Sequence, residues 1–477
     1  MPQSPQHVLA RWAQLPDHEQ HVRTVTRAFR ERYGQDPDGV WSAPGRLNLL
    51  GEYVDFNGGS ALPTPLPYRT LIAARLRTDG VLHAESLQLP GAPESRVADI
   101  APGTVSGWFS YVGGVAWALN REGGADLALP PDFGADLLID STVPVGGGLS
   151  SSAALLAATA LTLLELSCPL RAPAGLPGLP VGGCSPDDDA LRARLAQVCI
   201  TAENRVAGAR TGGLDQTAAL RSLPGQAVAI DFRDFSLQPV PVDAAAAGLA
   251  FLVIDTNAPH DLADGQYSAR RQACETAARA AGVEHLRDLL PEELGFPELN
   301  AQEARRARER AVDDALARLR EVPGLSEQVE PVVLTGWIRH VFTDMALVER
   351  ARALFTRRFP ADPRQHPEQV RAVWEEFGQL FTTSHASMRD DLQASRRELD
   401  VAVATCLEHG ALGARIVGGG FGGAVLALVE ADRVESTAQA VAQAFAARDF
   451  AAPVFLPLAP GRPAHRDRRA PVRRQHR

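Results

Sequence analysis

Residues 146–155 read Gly-Gly-Gly-Leu-Ser-Ser-Ser-Ala-Ala-Leu. Gly146, Gly147 and Gly148 allow the main chain to approach a ligand with no side chain between them. Leu149 follows, and then Ser150, Ser151 and Ser152 offer hydroxyls suited to phosphate oxygens or a metal. The helix-forming run Ala153–Leu166 begins directly after. Unpaired N–H groups and the helix dipole therefore converge on one place, a natural anion site. The stretch reads as a cradle for nucleotide phosphates; the plainer reading is a glycine-rich turn capped by Ser150. All 48 basic residues are arginine, because the chain contains no lysine. That excludes the GxxxxGK[ST] phosphate loop, the protein-kinase lysine and Schiff-base catalysis.

Three further stretches carry chemistry. In 45–59, GRLNLLGEYVDFNGG, the residues Asn48, Glu52, Asp55 and Asn57 crowd into an otherwise apolar segment. Carboxylates accept paired hydrogen bonds from neighbouring hydroxyls, which suits a sugar. Arg46 adds a permanent cation with a rigid fork of donors. By composition alone a surface turn with local Asx bonds would explain the same residues. Gly212-Gly213-Leu214-Asp215-Gln216 sets a carboxylate just after a glycine pair, either as a base close to substrate or as a helix cap. Gly418–Gly423 precedes the strand-like run Ala424–Val429, where glycines permit a close backbone approach or a tight turn.

The elements that must position these residues alternate without a regular βαβ rhythm, which predicts an α+β fold. Helices are expected at His21–Tyr33, Trp108–Asn120, Ala190–Gly208, Ala269–Gly282, Ala301–Arg320, Leu334–Phe355, Pro367–Arg389 and Glu398–His409. Arg69–Leu76 and Val81–Leu87 alternate as the two strands of one hairpin. Ala135–Asp140, Ala227–Asp231 and Leu249–Asp255 read as further strands. Cys168–Pro186 is rich in proline and glycine and reads as a surface excursion.

A length of 477 residues suggests two or more domains with ample core. Hydrophobic residues at 45%, charged residues at 22% and a net charge of −9 give no electrostatic case for nucleic acid or anionic membrane. The run Arg462–Arg477 is basic and reads as a disordered tail. Five scattered cysteines without metal-like spacing fit free thiols in a reducing compartment. Residues 1–20 carry no apolar h-region, and the apolar helix after the serine loop is too short for a typical membrane span. Cytoplasmic placement follows as the expectation. His260, His340 and His385 are far apart and read as structural or surface histidines.

Together the four stretches resemble, in order and spacing, the GHMP kinase superfamily and within it the galactokinase family. Leu252–Arg271 and Ser384–Asp391 resemble that family as well. The similarity runs from about Trp41 to Pro460. It implies a two-domain GHMP kinase fold: an N-terminal ribosomal-protein-S5-like domain over 1–247, a C-terminal ferredoxin-like domain over 248–462, and the active site between them, with 463–477 left as the tail. It implies ATP as co-substrate, with Gly146–Ser152 around its phosphates, and Mg²⁺ held by Ser152 and Glu203. Asp215 would face the anomeric hydroxyl, and Arg46 would stabilise the charge developing there. Glu52, Tyr53, Asp55, Gly212 and Tyr267 match sugar-contacting positions, and Gly419 and Gly420 belong to the motif that closes the site. The expected reaction is phosphorylation of galactose at C1. The family pattern Gly-Glu-His-x-Asp-Tyr is here Gly-Glu-Tyr53-Val54-Asp55-Phe56, which keeps N-acetylgalactosamine, arabinose or galacturonate open as the sugar. A non-catalytic sugar- and ATP-sensing regulator is the reading from another class. The implied partners are a small sugar and a nucleotide, with a monomer as the default state and a dimer as the alternative.

Overall fold

A computed structural model of the chain describes residues 9–144, 147–171, 188–258 and 263–469. Gly146, His260 and most of the excursion 168–186, Cys184 included, lie outside the described residues, as do 470–477. In chain order the strands are β1 (Arg11–Trp12), β2 (Gly39–Asn48), β3 (Ser60–Ala61), β4 (Pro63–Arg77), β5 (Val81–Ser86), β6 (Glu94–Arg96), β7 (Gly134–Ser141), β8 (Ala227–Asp231), β9 (Ser236–Val240), β10 (Leu249–Asp255), β11 (Gly413–Val417), β12 (Ala424–Glu430), β13 (Val454–Leu456) and β14 (His465–Arg469).

The period-two alternation of side chains builds the first half of the molecule. In the six-stranded sheet β14-β2-β4-β7-β5-β6, Trp41, Ile72, Ala74, Leu137 and Ile139 point to one face. There they meet the helices Phe109–Glu122, Ser151–Arg171 and Asp189–Ala202. Their neighbours Val40, Leu71, Ala73 and Leu138 point to the other face, onto Val25 and Phe29 of helix His18–Tyr33. That helix is closed by Asp17, which caps its first turn, and by Gly34 in the left-handed region. Helix Ser151–Leu170, expected to fall short of a membrane span, is long and apolar enough to cross a membrane, but 78% of its apolar window is buried in this core.

The second half repeats the logic on the five-stranded sheet β1-β13-β10-β12-β11. Ile254, Val425 and Ala427 face helices Arg397–Glu408 and Val434–Ala446. Val253, Leu426 and Leu428 face Trp374, Phe377 and Phe381 of helix Pro367–Asp390. A three-stranded sheet β3-β8-β9 joins Ser60–Ala61, just before β4, to the hairpin of β8 and β9.

Two further expectations need correction. Arg69–Leu76 and Val81–Leu87 are strands but not a hairpin: β7 lies between them, antiparallel to β4 and parallel to β5. The tail expected from residue 463 is not disordered over its first part, because His465–Arg469 forms β14 and pairs with β2. Buried Arg69 anchors this return, donating from Nη1 to Arg462 O at 2.5 Å and from Nη2 to Pro463 O at 3.0 Å. The chain ends thus exchange sheets, since β1 near the start pairs with β13 in the second half. His340 and His385 are buried, with His340 Nδ1 3.1 Å from Ser387 Oγ. Burial pushes His385 down to about 4.

Candidate active site

The site begins with a bulge. The register between β2 and β4 shifts between Pro44 and Arg46: Pro44 pairs with Arg69 and Arg46 with Pro65, so Gly45 stands opposite an irregular stretch of β4 that holds the extra residues. Arg46 stands at the edge of this irregularity, which bends β4 rather than β2. A Cβ on Gly45 would stand 2.5 Å from Leu149 O, so the serine loop can lie against β2 only over a glycine. The Arg46 amide then donates to Leu149 O at 3.2 Å. The close approach at Gly45 therefore seats the loop beside the strand that carries Arg46.

Arg46 is buried, and each of its three guanidinium nitrogens has one protein partner, which leaves two N–H groups for a ligand. Nε and Nη2 lie 2.8 and 2.7 Å from Asp215 Oδ1, and Nη1 donates to Gly148 O at 2.5 Å. Ser150 Oγ donates to the other carboxylate oxygen of Asp215. Asp215 is not the helix cap: Gly213 is, with φ 113°, and Asp215 sits in the first turn of helix Leu214–Arg221. Positive N-terminal dipole charge and the guanidinium hold it from two sides. Its side chain keeps 25% exposure toward the cavity.

The serine loop runs from Gly147 to Ser152 within the described residues. Ser150 takes φ 64°, a strained value for serine that turns the chain into helix Ser151–Arg171. Gly148, Leu149, Ser150, Ser151 and Ser152 line the cavity. Glu203 lies behind Ser152 and is 2% exposed, at the start of the π-turn Glu203–Ala207. Burial pushes its carboxyl up to about 7; the hydrogen bond from Ser152 opposes the shift, the charge of Asp215 adds to it, and the bond from Gln216 also opposes it.

On the opposite wall, Glu52 Oε1 accepts from the Gly418 amide at 2.9 Å and from Arg415 Nη2 at 3.2 Å. Tyr53 takes φ 62° and donates its hydroxyl to Gly419 O at 2.6 Å. The first sugar stretch is in this way tied to the third glycine motif. Tyr267 lies against Tyr53 with ring centroids 4.9 Å apart. Burial keeps both phenols protonated well above their ordinary range. Asp55 accepts from the Phe56 amide at 3.1 Å and the Leu214 amide at 3.4 Å. A Cβ on Gly212 would fall 2.4 Å from the Asp55 carboxylate, so the second motif folds over the first only as glycine. Burial, reinforced by Asp215, raises Asp55 to about 6.

Arg46, Glu52, Tyr53, Asp55, Gly148–Ser152, Asp215, Tyr267 and Gly418–Gly420 line a single cavity of about 660 Å³. Gly212 sits against its Asp55 wall, and Glu203 backs its Ser152 wall. The supporting residues were missed from sequence. Asp344 Oδ2 holds the amides of Gly51 and Glu52 at 3.1 and 2.7 Å, and Ser384 holds Asp344 at 2.6 Å. Arg415 also donates to Leu49 O at 2.8 Å. An arginine inside the apolar strand Gly413–Val417 was the one available signal.

Comparison with known proteins agrees with this geometry. Residues 27–76 match the galactokinase galactose-binding signature, 110–222 the GHMP kinase N-terminal domain and 369–447 the GHMP kinase C-terminal domain. The chain is 40% identical to a galactokinase of Streptomyces coelicolor, covering 93% of this chain and 98% of that protein. The chain belongs to the galactokinase family. A galactokinase of Mycobacterium bovis is 36% identical, over 85% of this chain and 92% of its own length. Among solved structures, Lactococcus lactis galactokinase complexed with galactose superposes with a TM-score of 0.71 at 26% identity, covering 93% of this chain and 99% of that one. This galactokinase-family chain has the two-domain GHMP kinase fold and is a phosphotransferase acting on a sugar hydroxyl.

Proposed function

We propose that the chain transfers the γ-phosphoryl group of ATP to the C1 hydroxyl of galactose. The observation that carries this reading is the Arg46–Asp215 pair. It sits where the serine loop meets the carboxylate wall, with Arg46 bonded to both Asp215 and the Gly148 carbonyl. A group held there touches whatever lies between phosphate and sugar.

Phosphoryl transfer asks the protein mainly for positioning and charge neutralisation. The main-chain amides and hydroxyls of Gly147–Ser152 receive the phosphates. Glu52, Asp55 and the Gly212 backbone fix the sugar hydroxyls, with Tyr267 as a wall of the pocket. Asp215 accepts the C1 hydroxyl proton as the sugar oxygen bonds to the γ-phosphorus and the bond to the β–γ bridging oxygen breaks. Arg46 stabilises the negative charge on the oxygens in flight. Ser152 and Glu203 are the residues that would hold Mg²⁺: hydroxyl and carboxylate oxygens suit a hard cation, and a buried Glu203 whose partners are the neutral Ser152 and Gln216 fits a place for one. When bound, that ion neutralises charge on the β- and γ-phosphates. A reducing cytoplasm is in keeping with the free, buried thiols of Cys199, Cys274 and Cys406.

One observation favours a second reading of the sugar. Tyr53 spends its hydroxyl on Gly419 O, so the position where the family carries histidine offers substrate an aromatic edge rather than a free donor. ADP release measured across galactose, N-acetylgalactosamine, arabinose and galacturonate separates the two. Galactose is expected to give the highest kcat/KM. Activity on another of these sugars with none on galactose would replace the substrate, and no release with any of them would remove the kinase reading.

A further inference from the structure

The two ends of the first sheet bring together three side chains of metal-ligand type. His465 and Asp467 stand two residues apart on β14 and therefore share a face. The register with β2 shifts between Arg466 and Arg468, a bulge at Asp467 that re-aims its carboxylate. His18, in the first turn of helix His18–Tyr33, reaches the same point. His18 Nε2 lies 2.5 Å and His465 Nε2 2.9 Å from the same oxygen, Asp467 Oδ1. One ligand atom from each residue lies within 4.8 Å of the others. The Asp467 side chain is 5% exposed and the imidazoles 37% and 31%, so the cluster has a protein floor and a solvent-facing mouth.

The outer contacts orient the ligands. His465 Nδ1 lies 2.9 Å from Pro463 O and 3.0 Å from Arg69 Nη2. Both hydrogens of Arg69 Nη2 are already directed to Ser42 O and Pro463 O, each at 3.0 Å. With its Nδ1 proton on Pro463 O, His465 presents Nε2 toward Asp467 Oδ1 as a ligand atom. The place between these nitrogens and the carboxylate oxygen is one that a proton or a metal ion fills. An imidazole that donates its other N–H to a backbone carbonyl is the usual arrangement of a metal-bound histidine. The second carboxylate oxygen of Asp467, Oδ2, is buried and has no hydrogen-bond partner among the described residues.

We propose that His18, His465 and Asp467 form a zinc site that clips the first helix to the last described strand. Two imidazole nitrogens and one carboxylate oxygen suit zinc, with water in the fourth position. Tetrahedral zinc holds its ligand atoms about 3.3 Å apart, so the cluster opens by less than about an ångström to admit the ion. Binding to the folded chain alone stabilises it by mass action. None of the three residues lines the active-site cavity, and the site stands independently of the proposed reaction.

The test uses the full chain, stripped with a chelator, desalted and titrated with zinc chloride. Zinc content is read by mass spectrometry, affinity by competition with a chromophoric chelator, and stability by thermal unfolding. One zinc per chain and a raised melting temperature are expected. His18→Ala and Asp467→Asn should each weaken zinc at least about 100-fold and abolish the melting shift, with circular dichroism showing the fold retained in His18→Ala. No retained zinc at micromolar metal, or unchanged affinity in both variants, would overturn the assignment.

Discussion

Arg46 and Asp215 are separated by 169 positions in sequence and by one hydrogen bond in space. Everything else in the cavity holds one of these two groups or presents something to them. The neighbouring carboxyl, Asp55, makes this arrangement sensitive to pH. Burial lifts it to about 6, so it takes up a proton as pH falls through that value. A protonated carboxyl no longer accepts two hydrogen bonds from a sugar. The KM for galactose at saturating ATP should therefore rise steeply as pH is lowered below about 6 and stay flat above about 7. A KM constant across that range would show that Asp55 does not bind sugar as an anion. The same shift carries a folding cost in the opposite direction: it is absent below the ordinary carboxylate range and complete above about 6. At this scale the sequence was informative, because Arg46, Asp215 and the serine loop stood in family order. The residues that hold them were not legible: Asp344 and Ser384 act through single bonds to backbone amides or to each other, and no local pattern announces such a bond.

At the scale of elements, the close approach of strand and serine loop at Gly45 is the feature on which the site turns. Gly45→Ala would drive a Cβ to within 2.5 Å of a backbone oxygen of the serine loop. Overpacking of this kind costs about 1–3 kcal/mol. The expected result is a roughly tenfold to hundredfold loss in kcat/KM for ATP, with a smaller change in galactose affinity measured by equilibrium binding. Wild-type kinetics would mean that loop and strand are free to separate. Sequence periodicity found most of these elements, because buried faces repeat at two or 3.6 residues whatever the topology. It mis-paired β4 with β5 because chain order says nothing about β7, which arrives some fifty residues later and inserts between them.

At the scale of the whole molecule, the chain ends cross between the two sheets. β14 covers the edge of β2, with Arg466 lying 4.7 Å above the Trp41 ring, and Arg69 is bonded to the carbonyls of Arg462 and Pro463. Composition hid this strand, since a run of arginine, histidine and proline reads as a solvated tail. Ending the chain after Arg462 should cost about 2 kcal/mol or more, because the buried Arg69 guanidinium loses acceptors. A thermal melt of the truncated chain identical to that of the full one would contradict a structural role for β14. The whole assembly serves one juxtaposition, an arginine-held carboxylate between phosphate and sugar. Its most direct test is the turnover of Asp215→Asn with galactose and ATP, read beside its galactose affinity. A fall in kcat of about 10²–10⁴-fold with affinity little changed is expected from the loss of a positioned base. Turnover close to that of the wild type would contradict the assignment of Asp215 to the chemistry.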